Sequence, residues 1–237
     1  ENLTQDGKVT GVVTKLGAMY KVKAVVIATG TYLKGKIHVG ESNYESGPDN
    51  TNPANLLSES LKKNGITIRR FKTGTPCRVH RRSINFDILE RQDGDDYIVP
   101  FSFETDQSTL KNQVSCYVSY TNADTHKVIL DNLHRSPLYS GRIQGVGPRY
   151  CPSIEDKIVR FKDKERHQLF LEPLDATNEL TYVQGFSTSM PYDVQEEMVH
   201  SVIGLENCEI VKYAYAIEYD AIDPLQVKAS LEMKDID

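Results

Sequence analysis

The chain has 237 residues, of which 39% are apolar and 26% are charged, so it is long enough to bury a sizeable core. Its formal net charge of -5 argues against a surface that is basic throughout, so any contact with nucleic acid must come from a local patch. No apolar run reaches membrane-spanning length and no signal-peptide pattern opens the chain, so the sequence predicts a soluble, cytoplasmic protein.

The first thirty residues predict β structure. GKVTGVVTKLG and MYKVKAVVIATG carry β-branched residues around a glycine-containing turn, which is the signal of a hairpin. Residues 25–30 are a continuous apolar run that ends in Ala28, Thr29 and Gly30, as expected of a buried parallel strand whose carboxyl end meets a ligand. An ordinary buried strand followed by a turn fits the same letters equally well.

The rest of the chain alternates between helical and strand patterns. Apolar spacing predicts helices at about residues 52–63, 125–133, 154–161 and 191–203, and strands at about 66–71, 115–120, 168–172, 180–183 and 209–213. No internal repeat or low-complexity linker marks a boundary. The sequence therefore predicts a mixed α/β fold.

The loop GVGPRYCPSIEDK, residues 145–157, raises the question of whether Cys151 is reactive. Pro152 favours an extended conformation at Cys151, and Ser153 followed by Asp156 predicts a helix N-cap. A thiolate just outside a helix N-terminus is stabilised and its pKa falls below about 8.5, whereas Glu155 and Asp156 oppose it. From these residues alone, a structural and a reactive cysteine both remain open.

The four cysteines are spaced irregularly, and no Cys-x-x-Cys pair suggests zinc or a local dithiol. The histidines show no metal spacing either, so no metal site is predicted. The chain enters a strand pattern with no initiator methionine before it, so we expect an excised piece of a longer protein. The cysteines are Cys77, Cys116, Cys151 and Cys208.

Residues 69–82, RRFKTGTPCRVHRR, form a basic run that contains no acid. Bent by glycine and proline, such a run can present several donors to phosphates of RNA or of a nucleotide cofactor. A solvated basic face that pairs with acids elsewhere is the alternative. The candidate phosphate-binding residues are Arg69, Arg70, Lys72, Arg78, Arg81 and Arg82.

Near the end of the chain, YAIEYDAIDP contains Glu218, Tyr219 and Asp220. These residues are either functional groups near a site or charges of a loop.

Seven segments, spread over nearly the whole chain, resemble the MnmG/GidA family of flavoproteins, which modify the wobble uridine of certain transfer RNAs at C5. GPRYCPSIEDK is the most specific of them, and the others match in order and spacing. They are VVIATGTYLKGKIHVGE, KTGTPCRV, NLHRSPLY, GVGPRYCPSIEDK, FLEP, STSMPYDVQ and YAIEYDAIDP.

The resemblance implies an α/β architecture in two parts. Residues 1–75 and 213–237 would belong to a FAD-binding domain of the glutathione-reductase type, and residues 76–212 would form an inserted mixed α/β domain associated with NADH and substrate. The family's amino-terminal Gly-x-Gly-x-x-Gly is absent here, as is its carboxy-terminal helical region, which engages the GTPase partner MnmE. We therefore expect this piece neither to hold FAD tightly nor to turn over alone, and we expect the full-length protein to be a homodimer.

The implied reaction uses FAD, NADH and methylene-tetrahydrofolate, with glycine or ammonium as the amine. The resemblance makes Cys151 a functional cysteine, although nucleophilic, redox and acid roles stay open. It also assigns cofactor contacts to Ala28, Thr29, Gly30, Thr73, Gly74, Thr75, Arg149 and Lys157. The competing interpretation is a non-catalytic tRNA- or nucleotide-binding module that uses residues 69–82.

Overall fold

A computed structural model of the chain describes residues 2–5, 7–147, 152–174, 177 and 179–236. The strands are β1 (Asn2–Gln5), β2 (Lys8–Val13), β3 (Met19–Lys21), β4 (Lys36–Val39), β5 (Ser42–Glu45), β6 (Ile68–Thr75), β7 (Arg78–His80), β8 (Glu90–Gln92), β9 (Cys116–Tyr120), β10 (Gln168–Pro173), β11 (Leu180–Gln184), β12 (Ile210–Lys212) and β13 (Tyr215–Ile222).

The helices are α1 (Asn55–Lys63), α2 (Ala123–Asp131), α3 (Ile154–Arg160) and α4 (Tyr192–His200). All four predicted helices are confirmed, with ends shifted by a few residues, and so is the mixed α/β class. Within the described part of the chain, no helix is both long and apolar enough to cross a membrane.

The strands form three sheets, and every pair of neighbouring strands is antiparallel. The first sheet has the order β1-β2-β3 and contains the predicted hairpin of β2 and β3. The second has the order β12-β7-β11-β10-β9-β8, and the third has the order β5-β4-β13-β6. Strand β13 therefore pairs with two strands that lie at least 140 residues earlier in the sequence.

The predicted parallel strand at residues 25–30 is wrong. These residues form no strand, Val26 is 89% exposed, and Gly30 opens a short 3-10 helix with a φ of +50°. A continuous apolar run becomes a buried strand only where neighbouring strands pair with it on both sides, and none of the described strands pairs with this run.

The larger core lies on the six-stranded sheet. Leu169, Leu171 and Val183 point from the sheet into this core, where they meet Ile129 of α2 and other side chains of α3 and α4. On α4, Val194 and Met198 are buried in the same core, and so is Val202, two residues after the end of the helix.

The four-stranded sheet is covered by a smaller apolar cluster. Leu33, Leu61 of α1 and Ile66 are buried in it. Successive side chains of β13 point to opposite faces of the sheet, so that Ala216, Glu218 and Asp220 share one face. All three are buried, which places two carboxylates inside the fold.

Candidate functional site

The centre of the site is a buried pair formed by Glu218 and His38. Nε2 of His38 lies 2.7 Å from Oε2 of Glu218, and the two side chains are 1% and 5% exposed. Ala216 stands directly opposite His38 in the ladder of β13 and β4, and Glu218 is two residues further along. The imidazole therefore reaches Glu218 diagonally, past a small side chain.

The second oxygen of Glu218 holds a loop backbone. Oε1 accepts the N–H of Gln144 at 2.8 Å and the N–H of Gly145 at 2.6 Å. Burial by itself raises the pKa of the Glu218 carboxyl, but His38 and the two N–H groups outweigh burial and lower the pKa to about 2. The carboxylate is therefore ionised at neutral pH.

The backbone of Gly145 packs closely against β6. A Cβ placed on it would come within 2.7 Å of the carbonyl oxygen of Phe71 and 2.8 Å of its carbonyl carbon. The next residue, Val146, pairs with β6: its N–H donates to the carbonyl of Arg70 at 3.3 Å, and its carbonyl accepts from the N–H of Lys72 at 3.1 Å. The segment 144–146 is thus fixed between Glu218 and the edge of the sheet, and only glycine fits at position 145.

Arg149 and Cys151, two of the residues assigned from sequence, lie outside the described residues. The structure resumes at Pro152. Ser153 caps α3, as predicted, by accepting the N–H of Asp156 at 3.4 Å. The N–H of Ile154 donates to the carbonyl of Ser187 at 2.7 Å, which attaches the start of α3 to the loop before α4.

Glu155 is a completely buried acid in the first turn of α3. Burial raises the pKa of its carboxyl, and the positive charge of Lys72, itself only 3% exposed, opposes that rise. The hydroxyl of Ser136 lies 3.4 Å from Oε1, and hydrogen bonds from the side chain of Thr188 and the backbone of Ser189 also act to lower the pKa of Glu155.

Lys157 follows on α3, where its Nζ donates to the carbonyl of Gly185 at 3.2 Å. It is half-buried rather than extended into solvent.

The basic run 69–82 does not form one face, because it spans the consecutive strands β6 and β7. Arg69 pairs with Asp223 at 2.8 Å. Arg70 pairs with Asp220 at 3.0 Å and also donates to the carbonyl of Lys34.

At the other end of the run, Arg78 and Arg81 contact aromatic rings. The guanidinium of Arg78 lies 5.4 Å from the centre of the Tyr182 ring, and that of Arg81 lies 4.6 Å from the centre of the Phe86 ring. Arg82 makes only a long contact of 3.8 Å with Glu209, and both side chains are largely exposed. Of these three arginines only Arg82 is exposed, whereas Arg78 and Arg81 are partly buried, as Arg70 is, and Lys72 is buried.

The segments assigned to cofactor binding fall in two places. Ala28 and Gly30 are exposed, Thr29 is partly exposed, and a Cβ on Gly30 would meet nothing within 4 Å. Residues 73–75 end β6, opposite Ile217, Ala216 and Tyr215 of β13.

Sequence reasoning missed His38 altogether and left Glu218 undecided between a site and a loop. The alternation in YAIEYDAI is the signal that identifies a strand, but the acids on its inward face hide that signal. Across the described residues, no group of three or more histidines, cysteines and acids is arranged to hold a metal ion.

Comparison with protein families gives a match along the whole chain. The model of the family described as glucose inhibited division protein A covers residues 1–237. Among curated proteins, the chain is 58% identical over 234 residues to a protein of Caldicellulosiruptor saccharolyticus and 57% identical over 232 residues to one of Clostridium botulinum. Both relatives are named tRNA uridine 5-carboxymethylaminomethyl modification enzyme MnmG.

The matches cover 99% and 98% of this chain but 37% of each relative, so the chain spans little more than a third of their length. Two solved structures of Aquifex aeolicus GidA are similar over the whole chain. The form I crystal gives a TM-score of 0.90 at 46% identity and the form II crystal gives 0.89 at 42%, with 40% and 38% of those chains covered.

Proposed function

This chain belongs to the glucose-inhibited division protein A family, and on that premise we propose that it is the middle section of an enzyme that modifies the wobble uridine of transfer RNA at C5. The modification is a carboxymethylaminomethyl or aminomethyl group. The observation that carries the proposal is the similarity of nearly the whole chain to relatives named for this activity. Because the chain spans 37% of those relatives, the activity is proposed for a longer protein that contains it.

We assign Cys151 as the catalytic thiol. Carbon C5 of uracil is a poor nucleophile, but addition of a thiolate at C6 gives an enolate that attacks an electrophilic one-carbon unit through C5. Loss of the C5 proton to a base and cleavage of the C6–S bond then restore the pyrimidine and release the thiolate. In sequence, α3 begins three residues after Cys151, and the dipole of a helix favours an anion near its start.

The cofactors of the proposed reaction are FAD, NADH and methylene-tetrahydrofolate. When bound, FAD exchanges two electrons with NADH, and the folate supplies the one-carbon unit. Ala28, Thr29 and Gly30 fit the approach of a broad, flat group, because this segment is accessible and Gly30 has open space beside it. The further assigned contacts are Thr73, Gly74, Thr75, Arg149 and Lys157.

Sheet membership supports the proposed domains. Residues 36–75 and 215–222 share the four-stranded sheet, whereas the six-stranded sheet is built from residues 78–212. We propose that residues 1–75 and 213–237 belong to the FAD-binding domain and that residues 76–212 are the insert. The family also suggests a homodimer in the cytoplasm and a GTPase partner, MnmE, which would bind a region outside this chain.

Contacts to RNA phosphates are proposed at the Arg78–Arg81–Arg82 end of the basic run. Arg82 is exposed and makes a contact of only 3.8 Å with Glu209, whereas the shorter ion pairs of Arg69 and Arg70 make those two residues poorer candidates. Double replacement of Arg81 and Arg82 by alanine is expected to weaken tRNA binding and reduce its salt dependence. The matched control removes two exposed lysines from α1, Lys62 and Lys63, and is expected to bind tRNA as the unmodified chain does.

The catalytic assignment is tested in a full-length relative whose matching region is replaced by these 237 residues. Nucleoside mass spectrometry of tRNA is expected to show the C5 modification in the parent chimera and its loss in Cys151→Ser. Cys116→Ser is the matched control, because Cys116 is a partly exposed cysteine of β9, far along the chain from the signature. Normal modification by Cys151→Ser would contradict the catalytic assignment. If the Cys151→Ser chimera loses modification but still binds tRNA, the result would exclude an interpretation in which this chain is only a binding module.

A further inference from the structure

We propose that Glu218, held by His38, is a positioning residue that fixes the backbone leading into Cys151. The proposal deepens the proposed function, since it depends on Cys151 being the catalytic thiol. Glu218 itself touches neither the thiol segment beyond Gly145 nor any reacting atom in the described structure. Its effect passes through the backbone of Gln144 and Gly145.

A single carboxylate oxygen accepts two consecutive backbone N–H groups at this point. The distances of 2.8 and 2.6 Å are those of charge-assisted hydrogen bonds, which are shorter and stronger than neutral ones. The other oxygen is engaged by His38 at 2.7 Å, so the carboxylate is held on both sides. Burying an ionised group costs free energy unless it is well hydrogen-bonded, and the loop backbone supplies two of the three hydrogen bonds that the described residues make to the Glu218 carboxylate.

The neighbouring acid on the same face shows that burial alone does not create this arrangement. Asp220 lies two residues further along β13 and is equally buried, but its carboxylate pairs with the side chain of Arg70 rather than with the loop at Gln144 and Gly145. Asp220 therefore provides a matched comparison for the loss of a buried carboxylate from this face.

The held segment is close in sequence to the thiol. Cys151 comes six residues after Gly145 and two residues before Ser153, the cap of α3. Gly145 is fixed by Glu218 and by the close approach to Phe71, and the start of α3 is fixed through the bond from Ile154 to Ser187. In sequence, Cys151 therefore stands between two anchored points, Gly145 and the start of α3.

The test is amide hydrogen exchange of the chain with three variants, read at Gln144 and Gly145. In Glu218→Ala the two N–H groups lose their acceptor, and exchange at both is expected to accelerate by about 10- to 100-fold. Glu218→Gln keeps a carbonyl oxygen of the same shape for the two N–H groups, so it is expected to restore most of the protection. Asp220→Ala is expected to leave exchange at these two amides unchanged, and exchange in β10 and β11 monitors global unfolding.

Slow exchange at Gln144 and Gly145 in Glu218→Ala would overturn the proposal, as would equal acceleration in Asp220→Ala. A second measurement uses the same variants in the full-length chimera and follows tRNA modification. Glu218→Ala is expected to lose at least 10-fold in kcat, with recovery in Glu218→Gln and no loss in Asp220→Ala. Undiminished kcat in Glu218→Ala would refute the positioning role while leaving Cys151 catalytic, whereas full activity of Cys151→Ser would refute the proposed function whatever the exchange data show.

Discussion

Replacement of Gly145 by alanine tests whether the loop is held as closely as the structure indicates. The new Cβ would lie 2.7 Å from the carbonyl oxygen of Phe71 and 3.1 Å from the backbone nitrogen of Lys72. Both are backbone atoms of a paired strand, so the loop must move away from β6. Movement also lengthens the hydrogen bond from the Gly145 N–H to Glu218, which is 2.6 Å long in the unmodified chain.

The expected cost follows from these two effects. Overpacking costs about 1–3 kcal/mol, and weakening a bond to a buried carboxylate costs about 1.5–3 kcal/mol. Because the loop relaxes both together, the costs do not add fully, and we expect a loss of about 3 kcal/mol in the free energy of unfolding. For a chain of this size, that loss lowers Tm by about 6–12 °C.

Gly74→Ala is the matched control for this variant. Its Cβ would lie 3.5 Å from Cβ of Ser187 and 3.7 Å from the carbonyl oxygen of Tyr215, which are ordinary contacts. We expect a change below about 1 kcal/mol, measured for both variants by thermal and urea unfolding. A Gly145→Ala chain as stable as Gly74→Ala would refute the close approach of the loop to β6.

Three further results are expected from equilibrium unfolding. The pKa of Glu218 is lowered from 4.5 to about 2, so the stabilisation from its charge is lost as the pH falls from 4.5 towards 2. The difference in unfolding free energy between wild type and Glu218→Gln should shrink over the same range, and an unchanged difference would contradict this. The pKa of Glu155 is raised above 4.5 by burial, so its contribution to stability declines as the pH rises above 4.5. Glu155→Gln should therefore gain in stability relative to wild type as the pH rises, and a constant difference would count against this. Arg70→Ala leaves the buried Asp220 without its ion-pair partner and should lower the free energy of unfolding by about 2–4 kcal/mol. Arg82→Ala, at an exposed arginine, should lower it by less than about 0.5 kcal/mol. Equal losses would refute the difference in burial between the two pairs.

The parts of the fold governed by neighbouring residues were predictable from sequence. The cap of α3 requires only Ser153 and the backbone N–H of Asp156, three residues away, and the structure confirms it. The inward face of α4 follows from the spacing of its apolar residues in the same way.

The parts governed by distant residues were not predictable. Residues 25–30 have the composition of a buried strand, but the described chain supplies no strand to pair with them. Glu218 is a residue type that is usually exposed, and only its contact with His38, 180 residues earlier and diagonal to it across the sheet, explains how it is buried. No local pattern indicates that Gln144 and Gly145 meet the same carboxylate, because that contact joins two segments more than 70 residues apart.

The most direct test of the account is the pH dependence of alkylation at Cys151 by iodoacetamide, read by peptide mass spectrometry with the other three cysteines as internal references. Burial raises the pKa of Cys77 and Cys208 to about 12, so neither should react before the chain unfolds, and burial also raises the pKa of the partly exposed Cys116. The account predicts that Cys151 reacts at neutral pH well ahead of all three, with a pKa below about 8.5. A Cys151 that reacts no faster than Cys116, with an ordinary pKa, would contradict an activated thiol at this position of the chain.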